Sequence, residues 1–282
     1  MTKGRDRGFA MVAAVAGIAA FAWIGLEAIA ANRGAIAGVD AHAERAELEA
    51  AADAGLMLAI HGLATPDRTQ RWSFDSRPRN VKFGDADLTI TVEDERGKIP
   101  LNSIEDDQVR AMFEAAGAEG ERLDGLVDAF EDWRDEDDDR RADGAEAADY
   151  LAQGIRPRNG QFLDVDELMQ IKGMDRRIFD RLAPNLTVFF GNTGGFSPRT
   201  AQPLALAVMS GHGGDDPASI DRERDLEGEA PALQIEDDVS LVGRDLTVRV
   251  VARDGRGGGF RRAAVIELTG SAAQPYWIRY VD

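Results

Sequence analysis

The sequence predicts an α+β protein: a long N-terminal helix, a small antiparallel sheet, and a large all-α domain inserted in the sheet region. Three observations carry this. An apolar run leads into an Ala-, Leu- and Glu-rich stretch, with no proline before Pro66. Period-two alternation marks a strand at 86–102 and three more after 244. The residues between them read at the helical period.

The N-terminal element comes first. Lys3, Arg5 and Arg7 precede a run from Phe9 to Ala31, FAMVAAVAGIAAFAWIGLEAIAA, whose only charge is Glu27. As a helix this run spans about 35 Å at about 1.5 Å per residue, enough for a bilayer core. Three basic residues before it, against Arg33 alone soon after, predict a cytoplasmic N-terminus. Residues 41–63, AHAERAELEAAADAGLMLAIHGL, are strong helix formers, so one helix is expected from Phe9 to about residue 62. Three readings fit the first residues: a cleaved secretory signal, a plain membrane anchor, or a short leader (1–8) cut between Gly8 and Phe9. A secretory signal has a shorter apolar run and then a break. Here the helical pattern continues.

After Pro66 the chain reads as a polar loop. Leu88, Ile90 and Val92 then alternate with Thr89, Thr91 and Glu93. DLTVRVVARD (245–254), RRAAVIELTG (261–270) and YWIRYVD (276–282) are further strands, with RDGRGGGFRR supplying a turn. The α/β part is therefore assigned to 66–102 and 236–282, and the inserted helical domain to 103–235. Within the insert, Asn102 or Ser103 is read as the cap of a helix running to Ala116. Leu123, Leu126, Val127 and Phe130 recur at three and four, the mark of a buried helical face. Asp164 and Glu167 have capping-box spacing. Residues 211–243 read as linker.

Composition bounds the function. The chain has 282 residues, 30% charged, with mean hydropathy −0.31 and formal net charge −18. So acidic a chain is unsuited to phosphate backbones, and no nucleic-acid partner is expected. The absence of cysteine excludes disulfides, thiolate catalysis and Cys-based zinc sites. His42, His61 and His212 lack HExxH spacing. There is no G-x-S-x-G, P-loop or nucleophile beside a base, so no enzyme activity is expected, although sequence alone does not exclude a carboxylate pair of the glycosidase kind. LMQIKGMDRRIFDRL reads either as a packed helical hairpin or as a helix-hairpin-helix; the acidity of the chain favours the former.

The acidic loop has the most chemical content. Between Asp132 and Asp149 stand nine acids against three arginines, a net of −6 over 18 residues. Hard oxygen donors in excess favour Ca²⁺. Counting Asp135 as one, Asp137 is three, Asp139 five, Asp143 nine and Glu146 twelve, the side-chain ligand positions of an EF-hand loop. Arg140 stands at six, where the turn wants glycine, so the ligand register stays open. A solvated acidic loop is the competing reading. Trp133, Gly144 and Tyr150 favour a loop packed on a core.

A family resemblance then adds to these readings. The leader ending in Gly8-Phe9 before an apolar run resembles the type IV pilin and type II secretion pseudopilin pattern. An N-terminal helix with a small antiparallel sheet resembles the pilin fold. DERGKIPLN, DAFEDWRDEDDD, DGAEAADYL, IRPRNGQF and DELMQIKGMDRRIFDRLAPNLTVF follow in order and resemble the general secretion pathway protein K family, a large minor pseudopilin. The resemblance implies cleavage by prepilin peptidase, methylation of Phe9, an inner-membrane anchor (9–31) and a periplasmic body. It also implies I-type and J-type minor pseudopilins as partners at the pseudopilus tip. Ala13 stands at the fifth mature position, where most pilins carry a Glu that offsets the amine of a neighbouring subunit; its absence suits a tip subunit. Calcium near the acidic loop is implied too, with Asp132 and Asp149 joining Asp135, Asp137, Asp139 and Glu146 as metal residues. The contrasting expectation is a membrane-tethered periplasmic calcium-dependent binding protein unrelated to a pilus.

Overall fold

The computed structural model describes residues 21–23, 26–27, 41–67, 69–151, 154–191, 194–210 and 241–282. Gly8, Phe9, Ala13, most of the apolar run and residues 211–240 lie outside them. Among the described residues, no helix is long and apolar enough to cross a membrane.

Residues 41–64 form one helix, α1. Leu48, Ala52, Leu56, Ala59 and Leu63 recur at three or four and are buried against a sheet. The small residues on this stripe let the helix lie close. At Gly55 an added Cβ would come 2.7 Å from Val250 Cγ1, so glycine sets the approach at that point.

The sheet has five antiparallel strands: β1 (Arg79–Phe83), β2 (Ala86–Asp94), β5 (Asp245–Arg253), β6 (Gly259–Leu268) and β7 (Tyr276–Val281), in that order. Leu88, Ile90 and Val92 face α1 with Leu246, Val248, Val250, Ala264 and Ile266. The alternation seen in the sequence is thus the inward face of the sheet. β1 lies in the stretch expected to be loop. Its RNVKF has two apolar residues and sits at an edge, so the periodic signal is short there. The strand expected over 86–102 stops at Asp94. A 3₁₀ turn (Glu95–Gly97) follows, then β3 (Ile99–Pro100), which pairs in parallel with β4 (Leu186–Thr187) in a separate two-stranded sheet.

β2 and β5 are neighbours in the sheet but far apart in the chain. Between them lie α2 (Asp106–Ala115), α3 (Gly120–Arg134), α4 (Ala147–Tyr150), a 3₁₀ helix (Val165–Gln170), α5 (Arg176–Leu182) and α6 (Pro203–Ser210). These elements have their own core, including Phe113, Phe130, Trp133, Tyr150 and Phe162. Leu123, Leu126, Val127 and Phe130 are buried as their spacing predicts. The cap of α2 is Glu105 in a capping box with Gln108, not Asn102 or Ser103. Asn102 instead holds a distant strand of backbone: its side chain donates to Phe162 O (2.9 Å) and accepts from Phe162 N–H (2.7 Å). Asp164 caps its 3₁₀ helix by accepting from Asp166 N–H, and Glu167 accepts from Leu163 N–H rather than from the cap residue.

A buried polar network joins the two cores. Glu95 accepts from Lys98 Nζ (2.6 Å), Thr247 Oγ1 (2.5 Å) and Thr187 Oγ1. Lys98 also lies 3.0 Å from Glu93. Asp94 accepts from Thr200 Oγ1 (3.0 Å) and pairs with Arg244 (3.3 Å). Burial works against the Lys98 ammonium, but Glu95 and Glu93 outweigh it and hold its pKa above the usual lysine range.

Candidate metal centre

The acidic loop leaves α3 at Arg134 and returns to the core at α4. Aromatic packing fixes both ends. Trp133 packs edge-on against Tyr150, with ring centroids 5.5 Å apart, and stacks on Phe162 at 6.5 Å; Phe162 stacks on Phe130 at 5.1 Å. Gly160 N–H donates to Trp133 O (3.2 Å), and Lys172 Nζ to Gly144 O (3.2 Å). The loop is therefore seated on the helical core, as Trp133, Gly144 and Tyr150 predicted.

Three of the six predicted metal residues come together. Carboxylate oxygens of Asp135, Asp137 and Glu146 lie within 4.8 Å of one another. In the EF-hand count these are positions one, three and twelve. Glu146 is buried, Asp135 half-buried and Asp137 exposed. The other three residues are employed differently. Asp132 is fully buried and accepts from Arg141 N–H (3.2 Å), with Arg141 Nε 3.6 Å away. Its carboxylate lies so close to Gly144 that an added Cβ there would sit 2.0 Å from Oδ2, which explains glycine at that position. Asp149 accepts from Glu146 N–H (3.1 Å) in the cap of α4 and faces Arg140 at 3.6 Å. Asp139 is exposed, and its N–H donates to Asp137 Oδ1 (2.8 Å). Asp143, at position nine, is drawn to α3, where its N–H donates to Asp128 Oδ2 (2.9 Å).

Asn159 completes the cluster and was missed as a site residue in the sequence. Its Nδ2 donates to Asp137 O (2.7 Å) and Asp138 Oδ1 (2.9 Å), and lies 3.4 Å from Glu146 Oε2. Its backbone has φ of 46°, a left-handed conformation that asparagine tolerates better than most residues. The Asn-Gly pair in IRPRNGQF is a turn signal that marks the position, although not its chemistry.

The electrostatics of the cluster are unbalanced. Burial, and then Asp137 and Asp132, push the Asp135 carboxyl above its usual range. Burial, and then Asp132, Asp135 and Asp138, do the same to Glu146. Burial also raises Asp132, although backbone N–H groups of Arg141 and Ala145 pull against it. Asp135 Oδ1, Glu146 Oε1 and Asn159 Oδ1 are buried and accept no hydrogen bond from the described residues. A buried oxygen without a donor costs about 1–3 kcal/mol. Two of these oxygens belong to the carboxylate cluster and the third, on Asn159, lies beside it; all three are hard donors of the kind a divalent cation takes. The donor set is all oxygen, which suits Ca²⁺ better than a softer metal.

Fold and site together define an α+β protein with a helical unit that carries an acidic, oxygen-lined cluster. Comparison with known proteins narrows this class. Residues 88–191 match the family model for type II secretion system (T2SS), protein K. The chain is 30% identical over 175 residues to the type II secretion system protein K of Klebsiella pneumoniae, covering 56% of this chain and 53% of that protein. It is 29% identical over 101 residues to the protein K of Dickeya chrysanthemi, covering 36% and 28%. The chain thus spans about half the length of the first of these relatives. Its fold is similar to a chain in the crystal structure of the GspK-GspI-GspJ complex from the enterotoxigenic Escherichia coli type 2 secretion system. The TM-score is 0.63 at 14% identity, over 86% of this chain and 98% of that one. The match over residues 88–191 takes in the acidic loop and the stretch in which the ordered motifs stand.

Proposed function

We propose that the chain is a minor pseudopilin that acts at the tip of a type II secretion pseudopilus, as an assembly component and not as an enzyme, assisting export across the outer membrane. The observation that supports this best is the protein K match over 88–191, which contains the whole acidic loop. In this reading α1 continues the apolar run, and its buried stripe on the sheet makes the pilin-like body. Cleavage between Gly8 and Phe9 by prepilin peptidase leaves Phe9 as a methylated terminus. The run 9–31 anchors the subunit in the inner membrane with the body in the periplasm, and I-type and J-type minor pseudopilins are its neighbours.

Calcium is the structural ion of this reading. Asp135, Asp137 and Glu146 would hold it, with Asn159 supplying a neutral oxygen, while Asp132 and Asp149 shape the loop around it. Bound there, the ion supplies positive charge and fixes the loop. It would not serve to activate water, because an all-oxygen calcium site is a weak Lewis acid beside a zinc centre.

Purification of the full chain from its native membrane after mild cross-linking tests the assignment. The expected neighbours are other minor pseudopilins, and mass spectrometry is expected to find Phe9 first. Neighbours from no secretion system, together with an intact Met1, would overturn it.

A further inference from the structure

We infer, on the calcium reading just given, that the ion site is coupled to the joint between the helical unit and the sheet: calcium at Asp135, Asp137 and Glu146 tightens the turn at 101–104, directly after β3. That turn belongs to both units. Leu101 and Ile104 are buried in the helical core. Leu101 N–H donates to Thr187 O (3.0 Å), which continues the pairing of β3 with β4. Ser103 and Ile104 N–H close the turn on Pro100 O (3.1 and 2.9 Å). Thr187 donates its hydroxyl to Glu95 in the buried network that joins the two cores.

Two arms run from the acidic cluster to this one turn. The first starts beside Asp135. Its chain neighbour Arg134 is half-buried and donates from Nη1 to Ile104 O (2.7 Å) and Leu101 O (3.4 Å). Nη2 donates to Glu131 Oε2 (2.6 Å), and the guanidinium lies 5.3 Å from the Phe130 ring centroid, so this arm is held along its length. The second arm starts at Asn159, which contacts Asp137, Asp138 and Glu146. Three residues on, Phe162 exchanges two hydrogen bonds with the Asn102 side chain (2.9 and 2.7 Å). The link between them is short and anchored: Gly160 N–H donates to Trp133 O (3.2 Å), and the Phe162 ring stacks on Trp133 and Phe130. Among the described residues, Asn102 hydrogen-bonds to no member of the cluster.

Charge explains why the ion is felt at the turn. Asp137 and Asp132 act on Asp135 as like charges, and Asp132, Asp135 and Asp138 act so on Glu146. This repulsion drives apart the residues from which the two arms start. A dication removes it and holds Asp135, Asp137 and Glu146 together, so both arms reach the turn from fixed origins. Opening the turn, conversely, frees Arg134 and the 159–162 link and loosens the cluster. Local opening of this kind is a measurable equilibrium of the native protein. Linkage makes the coupling reciprocal: the factor by which calcium disfavours opening is the factor by which opening weakens calcium. The concentration of calcium then sets how firmly the helical unit is carried on the sheet.

Hydrogen exchange of the full chain in detergent, with calcium or with chelator, reads the turn in the parent protein. Saturating calcium should slow exchange of the Leu101, Ser103, Ile104 and Phe162 amides about fivefold or more, the lower end of ordinary coupling between sites. Amides of the edge strand β1 should keep their rates, because local opening there breaks neither arm. Calorimetry supplies the reciprocal test. Asn102→Ala removes the end of one arm and should weaken calcium binding about fivefold, whereas Ser103→Ala, in the same turn but in neither arm, should bind as the parent does. Should Asn102→Ala fail to fold, the exchange of the parent still decides. Calcium that binds the parent without slowing exchange at 101–104 overturns this inference alone, and so does undiminished affinity in a folded Asn102→Ala, which would leave Asn102 a merely structural residue. A parent that gives no binding heat overturns the calcium reading, and this inference with it.

Discussion

The junction of the two cores and the acidic loop both bury carboxylates, and they neutralise them in opposite ways. At the junction the chain supplies its own cations: Lys98 reaches Glu95 and Glu93, and Arg244 reaches Asp94. At the loop, Asp135, Asp137 and Glu146 converge with no direct ion pair among the described residues, and Asp135 Oδ1, Glu146 Oε1 and the neighbouring Asn159 Oδ1 accept no hydrogen bond from them. Arg140 and Arg141 stand in the loop but turn to Asp149 and Asp132. The difference teaches that a cluster of acids is not by itself a site. What distinguishes the loop is charge that the fold gathers without a direct ion pair among the described residues: Arg141 and Arg134 act on Asp135 only from a distance, and burial with Asp137 and Asp132 outweighs them.

The largest effect is expected at the junction. Lys98→Met leaves Glu95 buried without its cation, while half-buried Glu93 keeps Arg249, and should cost about 3–5 kcal/mol in thermal or denaturant unfolding. Adding Glu95→Gln should recover part of that loss, because the glutamine oxygen can still accept from one of the Thr187 and Thr247 hydroxyls while its Nε2–H donates to the other. A single variant with parental stability would show that the junction network is not what neutralises these acids.

Removal of calcium should come next. A ligand that binds only the native state stabilises it by about 2.7 kcal/mol at a hundredfold excess over Kd. Chelation should lower the melting temperature of the full chain in detergent, and calcium should restore it better than magnesium. A melt that ignores both chelator and calcium would make the loop a solvated acidic surface.

Single substitutions sharpen the comparison. Asp137→Asn should weaken the calcium response of the melt, whereas Asp107→Asn, on α2 and outside the loop, should leave it intact. Asn159→Ala should also weaken that response, because Asn159 joins Asp137, Asp138 and Glu146. If Asp139→Asn weakens the response as much as Asp137→Asn, the ligand register differs from the one proposed.

The smallest effect concerns pH. Asp245 is buried at the sheet end of the junction; burial, and then Glu267, raise its pKa to about 6, above the ordinary 3.8, with Arg279 opposing. An acid raised in the folded state binds its proton more tightly there than in the unfolded chain. Its contribution to stability is therefore present below about 3.8 and is lost as pH rises through about 6. Asp245→Asn should gain stability over the parent at neutral pH, and the gain should vanish near pH ~4. Parallel pH profiles for the two proteins would contradict this.

The sequence made the sheet and the helical core legible wherever burial is one-sided. Leu88, Ile90 and Val92 betray β2 because one face meets α1, and Leu123 to Phe130 betray α3 for the same reason. β1 was not legible, since an edge strand needs few apolar residues. The helix cap at Glu105 was hidden because Asn102 and Ser103 are the better caps in isolation, and Asn102 is drawn away by Phe162, sixty residues on. At the site, the spacing counted from Asp135 picks out Asp135, Asp137 and Glu146, the three acids whose carboxylates converge. Local spacing did not separate Asp137 from Asp139, because that choice depends on which way the loop turns over Trp133. Asn159 was out of reach of any local pattern, since the fold alone brings it beside Glu146.

Calorimetric titration of the full chain in detergent with calcium tests the central claim most directly. The account predicts saturable binding to the parent, clearly weakened in Asp137→Asn and unchanged in Asp107→Asn. Absence of binding heat in the parent, or equal binding in all three proteins, would contradict it.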